Sequence, residues 1–303
     1  ARRPGKSPRR PGRPPTEAEN PFGAWAWKGQ IEGAKKGILA GKSVALKDNI
    51  CVAGLPMRNG NRQLEGYVPE GDATIVTRIL DAGGTIVGKA VSEDLCFSGH
   101  SLTSHPQPVR NPHRPTHSAG GSSSGSGALI AAGEAPMAMG GDQGGSIRIP
   151  ASWCGVYGLK ATQGLVPYTG VFPIEATIDH CGPMGATVED VARLLTAVAG
   201  PDGLDPRQAG ASTGDYMAAL KGGLKGLKVA VVKEGFGRPE SEEVTDKKVK
   251  AAIKEMKAAG AKVTVIGYSQ GSQVAEIARA DMATNPAYTA IADDYEFVLV
   301  GNP

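Results

Sequence analysis

The sequence predicts an α/β fold in which a mixed, mostly parallel twisted sheet lies between helices. Apolar segments of strand length alternate along the chain with longer segments that have helical periodicity. The length of 303 residues is sufficient for a large α/β domain with a buried core. Glycine, with 43 residues, is about twice as frequent as in an average protein. Such a content predicts backbone positions that take a positive φ or approach a ligand closely.

The predicted elements follow one another in this alternating order. A buried strand with Lys47 and Asp48 at its end opens the series, and a Gly-Gly pair at 83–84 ends the first helix. The predicted strands are 43–50, 85–89, 135–139, 227–232 and 262–266. The predicted helices are 73–82, one that begins near residue 128, 188–198 and the Lys-rich segment 245–259, with weak helical character from Gln270 onward.

The N-terminal segment has a different composition from the remainder. Residues 1–15 contain six Arg and Lys residues and no acid. The whole chain has a net charge of +3, so the residues after 15 have a negative net charge. We expect residues 1–19 to be a disordered, basic, Pro-rich tail and residues 20–303 to be one domain; contact of the tail with nucleic acid or an anionic surface is the alternative. No apolar run suits a secretory signal or a membrane span. Four scattered cysteines predict reduced thiols and a cytoplasmic protein.

Two serines, Ser122 and Ser146, each follow a pair of glycines and lie 24 residues apart. Ser146 is the better candidate nucleophile, because the glycines before it leave their N–H groups unobstructed by side chains. Successive N–H groups in such a turn can form an oxyanion hole, which is worth roughly 3–4 kcal/mol per donor in comparable enzymes. The alternative is a glycine-rich bend without chemistry.

A serine nucleophile needs a base, and no histidine is close to Ser146 in the sequence. Lys47 can serve, because burial in an apolar strand disfavours the charged form of a lysine and leaves a lone pair that accepts a proton. Ser122 can relay the proton, since a hydroxyl both donates and accepts. Taken alone, a lysine at a strand end is typical of a structural salt bridge.

Other kinds of site fit the sequence less well. A phosphate-binding P-loop would need a lysine after the glycines, and none follows at that spacing. Residues 121–125 match the G-x-S-x-G nucleophile elbow, but the residues before them are a poor strand. His113 and His117 have the spacing of metal ligands on a helix, but Pro115 lies between them. We therefore expect no metal site.

These residues resemble the amidase signature family of Ser-cisSer-Lys hydrolases, and most closely the bacterial amidases associated with nitrile degradation. The motifs that carry the resemblance are VALKDN at 44–49, GGSSSG at 120–125 and the segment 140–162. Similarity extends over roughly residues 20 to 208. Several motifs in the right order and spacing make the resemblance specific.

The resemblance implies a role for each of these residues. Ser146 would be the nucleophile, Ser122 the bridging serine after a cis peptide bond, Lys47 the base, and Ser123 a support of the lysine network. The oxyanion would be held by the backbone amides of Gln143, Gly144 and Gly145. A weaker correspondence aligns two residues with a substrate-binding segment, namely Cys96 and Phe97.

The resemblance also implies the amidase signature fold and an amide hydrolase that acts through an acyl-enzyme without a cofactor. We expect the substrates to be small apolar carboxamides, cleaved to acid and ammonia. The alternatives are a urethane, carbamate or aryl-amide hydrolase on the same scaffold and an amidotransferase A-type subunit. We expect a small-molecule substrate, no nucleic-acid or membrane partner and a homodimer. Because family members are longer, we expect the chain to be truncated at its C-terminus.

Overall fold

The computed structural model describes residues 9, 10, 12–268 and 296–300. The chain divides into two compact units, Ala1–Leu220 and Lys221–Pro303. The single domain over 20–303 that the sequence predicts stays a prediction. The mixed α/β class with parallel strands in its sheets is confirmed. None of the helices in the described part of the chain is long and apolar enough to cross a membrane.

A six-stranded sheet forms the centre of the first unit, in the order β1-β3-β2-β6-β8-β7. The three inner strands β3, β2 and β6 are parallel, whereas β1 pairs antiparallel with β3, and β8 antiparallel with both β6 and β7. The strands of this sheet are β1 (Trp25–Ile31), β2 (Ser43–Lys47), β3 (Thr85–Ala90), β6 (Met137–Asp142), β7 (Tyr157–Gly158) and β8 (His180–Gly185). A separate two-stranded sheet consists of β4 (Arg110–Asn111) and β5 (Arg114–Ser118).

Two hydrophobic clusters pack on opposite faces of this sheet. The first unit has the helices α1 (Thr74–Asp81), α2 (Ser124–Ala131), α3 (Arg148–Cys154), α4 (Val188–Val198) and α5 (Tyr216–Ala219). On β2, Val44 and Leu46 belong to the cluster of α1 and α4, while Ala45 belongs to the cluster of α2 and α3. Since side chains alternate along a strand, Lys47 follows Ala45 onto the α2 face. The sheet therefore directs this lysine towards the serine-rich loop before α2.

Helix α2 begins at Ser124, four residues before the position that the sequence predicts. Its first residues are all buried, and glycine is required at one of them: a Cβ on Gly125 would lie 2.4 Å from Ala24 O and 2.5 Å from Val91 N. Small residues allow the helix to approach the end of β3 closely. They also remove the apolar periodicity from which a helix start is predicted. The ends of α4, in contrast, match the prediction.

The described part of the N-terminal segment packs along β1. Arg9 forms a β-bridge with Ile31 and an ion pair with the buried carboxylate of Asp72. Arg13 forms a second bridge with Lys28. Arg9 and Arg13 thus have defined partners in the described part of the segment 1–19, for which the composition predicts disorder. The reason is that a carboxylate distant in the sequence provides a partner for a basic side chain.

The second unit contains a three-stranded parallel sheet in the order β11-β10-β9. Its elements are β9 (Lys228–Val232), α6 (Glu243–Ala258), β10 (Lys262–Tyr268) and β11 (Glu296–Val300). The weak helical character predicted from Gln270 onward lies outside the described residues up to 295. At 296–300 that prediction is wrong, because the apolar segment EFVLV continues the parallel sheet as a strand.

Candidate active site

Lys47 is the last residue of β2 and is fully buried. Its Nζ lies 2.7 Å from Ser122 Oγ and 3.3 Å from Gly141 O. Among the described residues, no carboxylate forms a salt bridge with it. The structural salt bridge that is typical of a lysine at a strand end is formed by another buried lysine, Lys89. Its Nζ lies 2.9 Å from Asp48 Oδ1. The structure thus brings Lys47 to a hydroxyl, and Lys89 to a carboxylate.

Ser122 lies in the loop between β5 and α2, after a cis peptide bond with Gly121. Its carbonyl oxygen accepts a hydrogen bond from Glu93 N at 3.0 Å. Gly121 has no room for a side chain, because a Cβ there would lie 1.9 Å from His100 O. Close backbone contacts on both sides therefore fix the position of the Ser122 hydroxyl.

Ser123 connects the two serine segments. Its backbone N donates to Ser146 O at 3.1 Å, while its hydroxyl accepts from Gly141 N and donates to Gly141 O, both at 3.1 Å. Gly141 O is also the second acceptor of Lys47 Nζ. Ser123 thus holds the end of β6 and the turn of Ser146 in a fixed relation to the lysine. Ser146 itself is 7% exposed.

The turn that carries Ser146 is organised around the buried carboxylate of Asp142. The N–H groups on both sides of the serine donate to it, Gly145 N to Oδ1 at 2.8 Å and Ile147 N to Oδ2 at 3.1 Å. Arg148 adds Nε at 3.1 Å and a second guanidinium nitrogen at 3.0 Å. Burial alone would raise the pKa of Asp142, but the hydrogen bonds from Arg148 and from the two amides outweigh it, and the pKa is lowered. The carboxylate is therefore ionised at neutral pH.

The three amides predicted to hold an oxyanion are not equivalent in the structure. The N–H of Gly145 donates a hydrogen bond to Asp142, whereas the predicted acceptor of this N–H is the oxyanion. Gly144 is open: a Cβ on it would meet nothing within 4 Å. Gln143 directly follows β6 and precedes Gly144. Of the three, Gln143 and Gly144 remain the candidate donors.

The residues predicted to bind substrate lie in the segment after Glu93, whose amide contacts Ser122 O. Cys96 is buried, and its Sγ lies 3.1 Å from Asn59 Oδ1. Phe97 is 76% exposed. The structure therefore brings this segment next to the serine loop, but it directs the Cys96 thiol to a buried amide and leaves the Phe97 ring in solvent.

Sequence reasoning missed the role of several polar side chains. Asp142 and Arg148 bracket the GGS turn, and a charged residue on each side of a glycine-rich turn is a signal that could have identified them. Tyr168 and Asp179 gave no such signal, because each is distant in the sequence from the residue it contacts. Both receive hydrogen bonds from Gln143 Nε2, at 3.3 Å and 2.7 Å respectively.

Comparison with known proteins places these motifs in a family. A family model described as Amidase matches residues 22–295. The chain is 58% identical over 243 residues to an enantioselective amidase of Rhodococcus rhodochrous, a match that covers 79% of this chain and 46% of the relative. It is 44% identical over 225 residues to the A-type subunit of glutamyl-tRNA(Gln) amidotransferase from Exiguobacterium sibiricum, which covers 74% and 47%. The chain spans about half the length of the curated relatives it matches.

Solved structures agree with this assignment. The A-type subunit of the glutamyl-tRNA(Gln) amidotransferase from Thermotoga maritima superposes with a TM-score of 0.74 at 34% identity, covering 86% of this chain and 56% of that one. The peptide amidase of Stenotrophomonas maltophilia gives a TM-score of 0.69 at 34% identity, with 85% and 55% covered. Together with the match over residues 22–295, these similarities establish that the chain belongs to the amidase family.

Proposed function

We propose that this protein hydrolyses the C–N bond of small apolar carboxamides through an acyl-enzyme on Ser146. The observation that carries the proposal is the 2.7 Å hydrogen bond between Lys47 Nζ and Ser122 Oγ. This lysine is fully buried, and no carboxylate among the described residues forms a salt bridge with it. The amine of a lysine in its neutral form can accept a proton from a hydroxyl and act as a general base.

In the proposed acylation step, Ser146 Oγ attacks the carbonyl carbon of the amide. Its proton passes to Ser122 Oγ as the proton of Ser122 passes to Lys47 Nζ. A proton then returns from Lys47 through Ser122 to the amide nitrogen, and the C–N bond breaks with its electron pair on nitrogen. Ammonia or an amine leaves, and an ester on Ser146 remains.

In the proposed deacylation step, water attacks this ester. The proton of the water follows the same route to Lys47 and returns to Ser146 Oγ when the acid is released. The negative oxygen that forms in both steps would be held by the N–H groups of Gln143 and Gly144. One such donor is worth about 10²–10³ in kcat in comparable enzymes.

The sequence identity of 58% to an enantioselective amidase supports carboxamides as the substrate class. A carbamate or aryl-amide hydrolase would use the same serines and lysine. An amidotransferase A-type subunit is a second candidate, supported by 44% identity to such a subunit. Obligate dependence on a partner subunit would distinguish it. We also propose a cytoplasmic location, since the four cysteines are free thiols.

The test is hydrolysis of benzamide together with labelling by a sulfonyl fluoride. We expect release of benzoate and ammonia and a label on Ser146. Ser146→Ala should abolish both, and Lys47→Met should abolish turnover. Ser126→Ala is the matched control, because Ser126 is a buried serine of α2 whose hydroxyl binds Met139 O at 3.2 Å. A folded wild-type protein that neither turns over benzamide nor takes the label would refute the proposal.

A further inference from the structure

Two carboxamide oxygens near Lys47 are buried and have no hydrogen-bond partner among the described residues. They are Asn49 Oδ1 and Gln143 Oε1, which we call the acceptor pair. The side chain of Asn49 is wholly buried. A buried carbonyl oxygen without a donor is unfavourable, and native proteins keep few of them. A ligand that brings N–H groups would satisfy both.

The orientation of the Gln143 amide is fixed by its neighbours. Its Nε2 lies 2.7 Å from Asp179 Oδ1, and an ionised carboxylate only accepts hydrogen bonds. The NH₂ group must therefore face Asp179, and Oε1 must point away from it. Asp179 is itself held in place, because its Oδ2 accepts from Ile174 N at 3.1 Å and from Glu175 N at 3.2 Å.

One hydroxyl joins the two members of the acceptor pair. Tyr168 OH lies 3.3 Å from Gln143 Nε2 and 3.5 Å from Asn49 Nδ2. The same hydroxyl lies 3.4 Å from Phe172 O, its acceptor. Both amides thus direct their NH₂ groups to a single oxygen, so Tyr168 links the side chains of Asn49 and Gln143.

The two residues of the acceptor pair belong to the segments that carry the candidate catalytic residues, since Asn49 follows Lys47 by two positions and Gln143 precedes Ser146 by three. A Cβ built on Gly141 would lie 3.6 Å from Lys47 Nζ and 3.6 Å from Asn49 Nδ2. Gly141 is also the residue whose carbonyl oxygen accepts from Lys47. Gln143 follows two residues later and opens the turn of Ser146. The side chain of Asn49 therefore lies close to Lys47, and Gln143 belongs to the turn that carries Ser146.

We propose that the acceptor pair binds the N–H groups of the carboxamide nitrogen and so selects primary carboxamides. This inference rests on the proposed hydrolysis by Ser146. The nitrogen of a primary carboxamide carries two N–H groups and keeps both as the C–N bond breaks. Its third hydrogen comes from Lys47 through Ser122, and ammonia leaves. An ester oxygen offers no N–H, and an N-methyl amide offers one N–H and a methyl group.

The test compares substrates that form the same acyl-enzyme, namely benzamide, N-methylbenzamide and methyl benzoate. Asn49→Leu and Gln143→Met remove the acceptor oxygens while approximately preserving side-chain size. For each variant we expect the ratio of kcat/KM for benzamide to that for methyl benzoate to fall about tenfold. A general folding defect would lower both values and leave the ratio unchanged. Ser126→Ala, the matched control, should leave the ratio at the wild-type value.

A binding measurement separates this inference from the proposed hydrolysis. In the Ser146→Ala background no acyl-enzyme forms, and titration calorimetry should show tighter binding of benzamide than of methyl benzoate. Adding Asn49→Leu or Gln143→Met should abolish that preference. If both variants keep the wild-type ratio and the wild-type binding preference, the inference is overturned and the hydrolase proposal stands. If neither substrate is turned over, the hydrolase proposal fails, while the binding preference still tests the acceptor pair.

Discussion

The substitution Asp142→Asn tests whether a buried carboxylate sets the geometry of the turn that carries Ser146, the proposed nucleophile. Asp142 is completely buried and accepts hydrogen bonds from the amides on both sides of Ser146 and from Arg148. Asparagine has nearly the same shape, but it replaces one acceptor oxygen by an NH₂ group. Whichever way the new amide turns, that NH₂ group faces N–H donors.

The expected cost follows from the hydrogen bonds that are lost. Each bond to a charged partner contributes roughly 1.5–3 kcal/mol, and asparagine loses at least one of them together with the charge. We therefore expect the free energy of unfolding to fall by about 3–5 kcal/mol, because the bonds to both amides depend on the carboxylate and the new NH₂ group faces their N–H groups. The matched control is Arg148→Met. Because the guanidinium is 55% exposed, solvent screens the ion pair and the control should cost at most about 1 kcal/mol.

Urea unfolding at pH 7 and at steps down to pH 3 measures these differences, and benzamide hydrolysis reports on the turn. The pKa of Asp142 is lower in the folded state than in the unfolded chain, where it is about 4. Its contribution to stability is complete above pH 4 and is lost as the pH falls through the folded value. Wild type should therefore lose stability more steeply below pH 4 than Asp142→Asn. Equal costs for Asp142→Asn and Arg148→Met, with turnover within twofold of wild type, would refute the reasoning.

Two further outcomes are expected. Lys89→Met removes the partner of the buried Asp48 carboxylate and should lower the free energy of unfolding by about 3–5 kcal/mol. Lys47→Met should instead abolish turnover with little effect on urea unfolding. The opposite pattern would contradict the proposed roles of the two lysines. Burial raises the pKa of the Cys154 and Cys181 thiols to about 12, so mass spectrometry should find both unmodified after iodoacetamide treatment of the native protein at pH 8 and alkylated after denaturation. Rapid modification of either thiol in the native protein would be inconsistent with this burial.

Local periodicity predicted the elements that bury one apolar face. Helix α4 has the predicted ends, because its apolar positions recur every three to four residues and the Thr187 side chain caps it by accepting from Asp190 N. The strand that carries Lys47 is predicted equally well, because it is a short apolar run. Periodicity alone does not give the face of the sheet on which the lysine lies. That face follows from the structure, in which successive side chains of the strand pack alternately into the two hydrophobic clusters.

Contacts between residues distant in the sequence were beyond such reasoning. The composition of the N-terminal segment gave no indication that Arg9 would meet Asp72. Gly145 N–H donates to Asp142 because of the path that the backbone takes through the turn. Glycine allows many backbone conformations, so the sequence does not predict this path, whereas hydrogen bonds to the Asp142 side chain fix it in the structure. The acceptor pair depends on Tyr168, which follows Gln143 by 25 residues.

The register of β2 and β3 explains how two adjacent ionisable residues acquire different chemistry. Leu46 pairs with Lys89 across the strands, and Lys47 pairs with Ala90. Paired residues share a face, so Lys89 lies on the face opposite Lys47 and holds Asp48 there. The carboxylate next to Lys47 in the sequence is thereby engaged by another lysine, and two backbone amides, Arg58 N and Asn59 N, occupy its second oxygen. On the serine side, Lys47 meets a hydroxyl and a carbonyl oxygen instead of a carboxylate, which is the arrangement that the proposed proton transfer between Ser122 and Lys47 requires.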